Sequence, residues 1–273
     1  MFGMTIEDRV LRELHRAALE AGRRSIGIPS ADLDTVARRT GDRTAAEQAL
    51  NRLVQAQRVV RVRRDVVVLP DPTGLLNIDM DGLIDGIAPQ PYLITGGRAL
   101  EHFDLTDQHF FGLAVLVPSE VTKLRFRGQT ATFFKIDPTN IWGWEADERP
   151  RYALPERALV DALNHPRYGV SLTQAATALL CAASRDSAFL DRLLAVVRRY
   201  RSGSRGHSSR SSARRVGFVV ERLFGPGVAA PYRDLVGSNR TPTLLRSGGS
   251  SSGPVDSTWR IVINAVLEPE TVP

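Results

Sequence analysis

The chain has 273 residues, 42% hydrophobic and 24% charged, a composition that supports one large folded domain or two and excludes wholesale disorder. Its net charge of +6 is uneven: +4 over 1–70 (13 basic, 9 acidic), −3 over 71–200 (13 basic, 16 acidic) and +5 over 201–273 (10 basic, 5 acidic), so different stretches suit different partners. No run approaches the roughly 18 apolar residues of a membrane-spanning helix, no basic segment followed by an apolar one opens the chain, and the single cysteine, Cys181, excludes an internal disulfide framework and a multi-thiolate metal site; the expectation is a cytoplasmic protein with no membrane contact.

Ile6, Val10, Leu11, Leu14, Ala17 and Ala18 recur at helical spacing, with Thr5 or Asp8 as cap and Gly22 as the end. Residues 24–28 alternate as a short strand does. Ser30 opens a second helix, with Asp32 and Asp34 in its first turn and Leu33, Val36 and Ala37 on its apolar face, and Thr40-Gly41-Asp42 breaks it. A third helix begins at Thr44, which stands to Glu47 as in a capping box. Its apolar stripe is Ala46, Ala49, Leu50, Leu53 and Val54. At about 100° per residue, Ala45, Gln48, Arg52 and Gln55 face the other way, flanked by Thr44 and Asn51. Residues 59–62 and 66–69 then bracket Arg63-Arg64-Asp65 as a hairpin with a basic tip.

Three helices and a hairpin, in that order, describe a winged helix-turn-helix over 1–70. Such a fold sets its third helix in the major groove of DNA, which is wide enough to admit it. Gln48 and Asn51 suit adenine edges, and Arg43 and Arg52 suit guanine or phosphate. Arg61, Arg63 and Arg64 on the wing suit phosphate or the minor groove. Polar residues opposite a core stripe are equally what any solvated helix face carries, and some winged helices dock proteins instead.

Pro70-Asp71-Pro72 closes this domain. Residues 71–91 read as a linker or connecting helix, with helical spacing over 75–87 weakened by Gly82 and Gly86. The remainder, 92–273, reads as a larger mixed α/β domain with a helical C-terminal half, so the whole is α+β. Gly96-Gly97 starts a short helix over 97–102. Residues 110–117 form a buried-type strand. Two strands, 122–127 and 130–136, flank Gly128, and in the first Leu124 and Phe126 alternate with Lys123, Arg125 and Arg127. Residues 141–144 are a strand or turn, followed by an acidic loop with Glu145, Asp147 and Glu148. Helices are expected over 155–163, 172–183, 187–200 and 211–224. Residues 202–212 read as a mobile loop whose Arg205 and Arg210 continue into Arg214 and Arg215, a second basic patch that would bring the C-terminal part to DNA. Residues 246–257 read as a flexible loop and 258–267 as a closing strand.

Signals for catalysis are weak. The five histidines (His15, His102, His109, His165 and His207) are scattered away from zinc-ligand spacing, and there is no phosphate-binding loop and no nucleophile elbow. Cys181 sits in an apolar helix as an inert thiol would. Glu156 and Asp161 offer a carboxylate pair, but an i,i+4 ion pair between Arg157 and Asp161 is the plainer account. No enzyme activity, cofactor or metal is expected.

The run 92–108 (YLITGGRALEHFDLTDQ) is similar to a segment of AbiEi-type antitoxins in which a small-residue turn precedes Ala-Leu, an aromatic or His, and Leu-Thr; here Gly97-Arg98 stands where Ser or Thr is usual. The run 152–163 (YALPERALVDAL) resembles that family's Glu-Arg-x-Leu-x-Asp helix, through Glu156, Arg157 and Asp161, and Trp259 to Asn264 resembles its closing Trp-x-x-x-x-Asn strand. With the N-terminal domain the resemblance covers nearly the whole chain. It implies a transcriptional autorepressor and antitoxin, encoded beside a nucleotidyltransferase-like toxin. Its winged helix would repress the shared promoter at inverted repeats of double-stranded DNA, through Arg43, Thr44, Gln48, Asn51, Arg52, Arg61, Arg63 and Arg64, and its second domain would neutralise the toxin. A nucleic-acid-processing enzyme using Glu145, Asp147, Glu148 and Glu156, and a protein-interaction scaffold, are the competing readings.

Overall fold

Thr5 opens the first helix because its hydroxyl accepts the third amide of the turn. In the computed structural model, which describes residues 4–20, 38–39, 41–63, 66–69, 79–203, 208–237 and 241–269, Asp8 N–H donates to Thr5 Oγ1 at 3.2 Å and Thr5 Oγ1 donates to the Asp8 carboxylate at 2.7 Å. The two expected caps therefore act together. Helix α1 (Ile6–Glu20) follows, then α2 (Arg43–Gln55). Asp42, read from sequence as part of a breaker, is the cap of α2: its carboxylate accepts from Thr44 N and Ala45 N at 2.8 and 3.2 Å. A carboxylate displaces Thr44 from this role because it reaches two orphan amides and carries the charge that the helix dipole favours.

Strands β1 (Val60–Arg63) and β2 (Val66–Val68) pair antiparallel, Val60 opposite Val68 and Arg61 opposite Val67, with a register shift before Arg63 meets Val66. Val10, Leu14, Ala46, Ala49, Leu50, Leu53, Val59, Val67 and Leu69 form one apolar core beneath α1, α2 and the hairpin. Each large side chain so buried contributes about 1.5–3 kcal/mol. The strand expected over 24–28 lies outside the described residues. So does the second helix, of which only Arg38 and Arg39 are described, both helical.

The chain divides into two compact units, one of residues 1–89 with 123–131, the other of 90–122 with 132–273. This division differs from the expected boundaries at 70 and 91. In the described part of the expected linker, 79–87 forms α3 (Met80–Ile87) within the first unit, capped by Asp79 on Gly82 N at 2.7 Å. Its Met80, Leu83 and Ile84 are wholly buried, and that apolar stripe outweighs the cost of Gly82 and Gly86. The second difference is the segment 123–131, which joins the N-terminal unit although residues 90–122 of the other unit separate it from the rest in sequence.

In the second unit β3 (Leu93–Thr95) pairs antiparallel with β4 (Gly112–Val117), and α4 (Gly97–His102) lies between them in sequence. Gly96, at φ +67, turns the chain from β3 into α4, and a Cβ there would collide with the Tyr168 carbonyl. Strands β5 (Leu124–Phe126) and β6 (Gln129–Lys135) form a hairpin, and β6 continues from the first unit into the second. Residues 141–144 form no strand, and Ile141 and Trp142 are buried. Helices α5 (Pro155–Asn164), α6 (Leu172–Arg185), α7 (Phe189–Gly203) and α8 (Ser208–Phe224) agree closely with expectation. Of the loop expected over 202–212, residues 202–203 belong to α7 and 208–212 to α8, and 204–207 lie outside the described residues. A further helix, α9 (Pro226–Arg233), was not legible: Pro226 suits the first turn, but Pro231 inside it argues against a helix. A small sheet closes the unit in the order β7 (Thr243–Leu244), β9 (Ile261–Val262), β8 (Val255–Asp256). Thus the strand expected over 258–267 is only two residues long, and the loop expected over 246–257 ends in a strand. The architecture is mixed α+β, and among the described residues no helix is long and apolar enough to cross a membrane.

Candidate nucleic-acid interface

Asp42 anchors the start of α2, and the core stripe Ala46, Ala49, Leu50 and Leu53 fixes its rotation about its own axis. The opposite face is thereby set outward. Arg43, Thr44, Gln48, Asn51 and Arg52 are all exposed. Two of them are tied to neighbouring elements. Arg61 Nη1 donates to Asn51 Oδ1 at 3.0 Å, joining β1 to the outer face of α2, and Arg52 Nε donates to Glu7 of α1. A backbone N–H and Arg52 hold the Glu7 carboxyl below the usual range. Arg43 Nε lies 3.3 Å from Glu47 Oε1, both side chains well exposed, a pairing worth a few tenths of a kcal/mol at most. Arg61 is exposed and Arg63 half-buried. Arg64 lies outside the described residues. The structure thus places seven of the eight expected residues on α2 and β1, Arg63 being the last residue of β1.

Of the expected second basic patch, Arg214 and Arg215 do not lie at the surface. Arg214 and Arg215 are 2% and 8% exposed. Arg214 Nη1 donates to the Thr241 carbonyl at 2.6 Å and to Thr243 Oγ1 at 3.3 Å; Arg215 donates to the Leu244 carbonyl at 2.8 Å and to Asn164 Oδ1 at 2.9 Å. Burial pulls Arg215 down to about 10, which leaves it cationic at neutral pH. These arginines fasten α8 to the segment leading into β7 and to α5. A helix spacing does not say which face a long-range partner covers, which is why Arg214 and Arg215 depart from the expected surface position. Arg205 and the side chain of Arg210 lie outside the described residues.

The residues that carry the family resemblance also hold the second unit together. Arg157 Nε meets Asp161 Oδ2 at 3.0 Å, the expected i,i+4 pair, with both side chains buried. Asp161 also accepts from Thr95 Oγ1 of β3 at 2.8 Å and from Tyr200 OH of α7 at 3.2 Å, and His165 Nε2 lies 3.1 Å from that hydroxyl. The Arg157 guanidinium covers the Trp142 ring at 4.4 Å. Burial works against its charge, yet Asp161 and Tyr200 hold its pKa above the usual value. Burial pushes the Tyr200 phenol well up. Glu156 is taken by Arg192 Nε at 2.6 Å, so it does not form a carboxylate pair with Asp161. Trp259 Nε1 donates to Glu221 at 3.0 Å, and Asn264 both accepts from Arg246 N at 2.8 Å and donates to the Ser250 carbonyl at 2.7 Å. Glu145, Asp147 and Glu148 are exposed. Among the described residues, no group of three or more His, Cys, Asp or Glu is placed to hold a metal ion.

The fold has a solved counterpart. The chain is similar to the crystal structure of RV2827C protein from Mycobacterium tuberculosis, with 16% sequence identity over 94% of this chain and 91% of that one, at a TM-score of 0.56. At this identity the two share a fold, and the likeness says nothing of function. No family model and no curated protein matches the sequence.

Proposed function

We propose that the protein is a DNA-binding transcriptional autorepressor and the antitoxin of a pair whose toxin is nucleotidyltransferase-like. The N-terminal unit acts as a winged helix-turn-helix, with α2 as the helix read against the major groove and the β1–β2 hairpin as its wing. The observation that carries this reading is the outward polar face of α2, with Gln48, Asn51 and Arg52 along it, bonded to β1 through Arg61 and Asn51. Asn and Gln side chains match adenine edges, and Arg suits guanine and phosphate. The antitoxin half rests on the resemblance of 92–108, 152–163 and 259–264.

The test is binding of the intact chain to the duplex upstream of its own gene and to a scrambled duplex, over a salt series. Specific binding should exceed non-specific binding by roughly 10³ or more. Gln48→Ala should cost about 1–3 kcal/mol on the upstream duplex and nothing on the scrambled one. Equal, weak binding to both duplexes would withdraw α2 as a base reader. For the antitoxin half, co-expression with the neighbouring gene should restore growth that this neighbour arrests when expressed alone.

A further inference from the structure

The stretch 121–136 carries Lys123, Arg125, Arg127 and Lys135 and no acidic residue, although it lies in the acidic middle of the sequence. Three of these cations fall in 123–131, the segment that the fold assigns to the N-terminal unit, where β5 lies beside β1, the strand of Arg61 and Arg63. Leu124 is buried and Phe126 half-buried, strand alternation puts Arg125 on the other side of β5, and Lys123, Arg125 and Arg127 are all exposed.

The turn adds an independent observation. Phe126 stands opposite Gln129, so Arg127 and Gly128 form a two-residue connection, with φ +48 and +79. Positive φ at both central positions is the mirror-image hairpin turn, whose first position favours Asn, Asp or Gly. An arginine there costs about 1 kcal/mol relative to those residues. The Arg127 guanidinium lies over the Phe126 ring at 5.2 Å, which offsets part of that cost, and the arrangement holds a cation at the hairpin tip. The tip presents cations and glycine but no exposed apolar anchor of the kind that protein interfaces bury.

We propose that the Lys123–Ala131 hairpin is a second contact with the DNA backbone, placing Lys123, Arg125 and Arg127 on phosphates next to those reached from β1. This deepens the DNA-binding reading above and rests on it. These cations position the protein on the duplex and read no bases.

The test compares the intact chain with Lys123→Ala, Arg125→Ala, Arg127→Asn and Gln48→Ala on the upstream and scrambled duplexes, by fluorescence anisotropy from 50 to 200 mM salt. Arg127→Asn is the informative variant, because Asn is preferred at that turn position and the hairpin should melt at the same or a higher temperature. Each hairpin variant should lose affinity for both duplexes by the same factor, leaving their ratio unchanged. The slope of log K against log salt should fall by about 0.9 for each phosphate that is no longer neutralised, so the advantage of the unsubstituted chain shrinks about threefold over that salt range. Gln48→Ala should do the reverse, lowering the ratio and leaving the slope. Unchanged affinity and slope in Arg125→Ala and Arg127→Asn would overturn the hairpin contact, while a loss of discrimination in Gln48→Ala would still uphold the parent reading. A changed ratio in the hairpin variants would make the hairpin a base reader and overturn the backbone role. If the unsubstituted chain binds neither duplex at 50 mM salt, both readings fall.

Discussion

Asp161 is the sharpest point at which to perturb the second unit. Its side chain is 1% exposed and that of its partner Arg157 is 3% exposed, and the carboxylate also accepts from Thr95 and Tyr200. Asp161→Ala removes the acceptor of all three and leaves a buried guanidinium uncompensated, which costs about 3–5 kcal/mol in comparable sites. The stacking of Arg157 on Trp142 and Tyr200, at 4.4 and 4.9 Å, offsets only part of that loss. For a unit of this size each kcal/mol moves the melting midpoint by roughly 2–4 °C, so the midpoint should fall by roughly 6–20 °C. The assay is intrinsic fluorescence on heating, because all three tryptophans, Trp142, Trp144 and Trp259, belong to this unit and none to the other. The double substitution Arg157→Met with Asp161→Leu should cost clearly less than the two single losses added, since it removes both charges from the interior. A midpoint within 2 °C or so of the unsubstituted chain for Asp161→Ala, or strict additivity in the double substitution, would refute the reasoning.

Two further outcomes follow from the same unit. Gly217 in α8 packs against the Trp259 ring, which a Cβ would overlap, and Trp259 is pinned through its indole N–H to Glu221; Gly217→Ala should cost about 1–3 kcal/mol and shift the fluorescence, and an unchanged melt would show that the ring moves freely. Burial pushes the pKa of His165 below its usual 6.5, against Asp161 and alongside Arg167, Arg215 and Arg157. The unfolded chain therefore takes up this proton first as pH falls, protonation favours unfolding, and the stability of the second unit should decline as pH drops below about 6.5. His165→Gln should flatten that decline, and an identical pH profile in the variant would assign it to other groups.

Much of the local structure was legible because it depends on near neighbours. Helices α1, α2 and α5 to α8 announce themselves by apolar spacing, the hairpins by alternation around turn residues, and the Arg157–Asp161 pair by its i,i+4 offset. The outward face of α2 follows from the same arithmetic, since the stripe that enters the core fixes which residues do not. Other features needed the tertiary structure. Arg214 and Arg215 read as surface cations until Thr241, Thr243, Leu244 and Asn164, 27 to 51 positions away, are seen to satisfy them. Residues 123–131 read as an ordinary part of the second domain until β5 is seen beside β1. Residues 79–87 read as a linker or connecting helix, and the structure shows the helix, with Met80, Leu83 and Ile84 buried in the N-terminal unit. Periodicity along the chain determines which side of an element avoids water. Which distant groups come to cover that side, and which buried polar atoms they satisfy, depends on long-range packing, and no spacing along the chain records it.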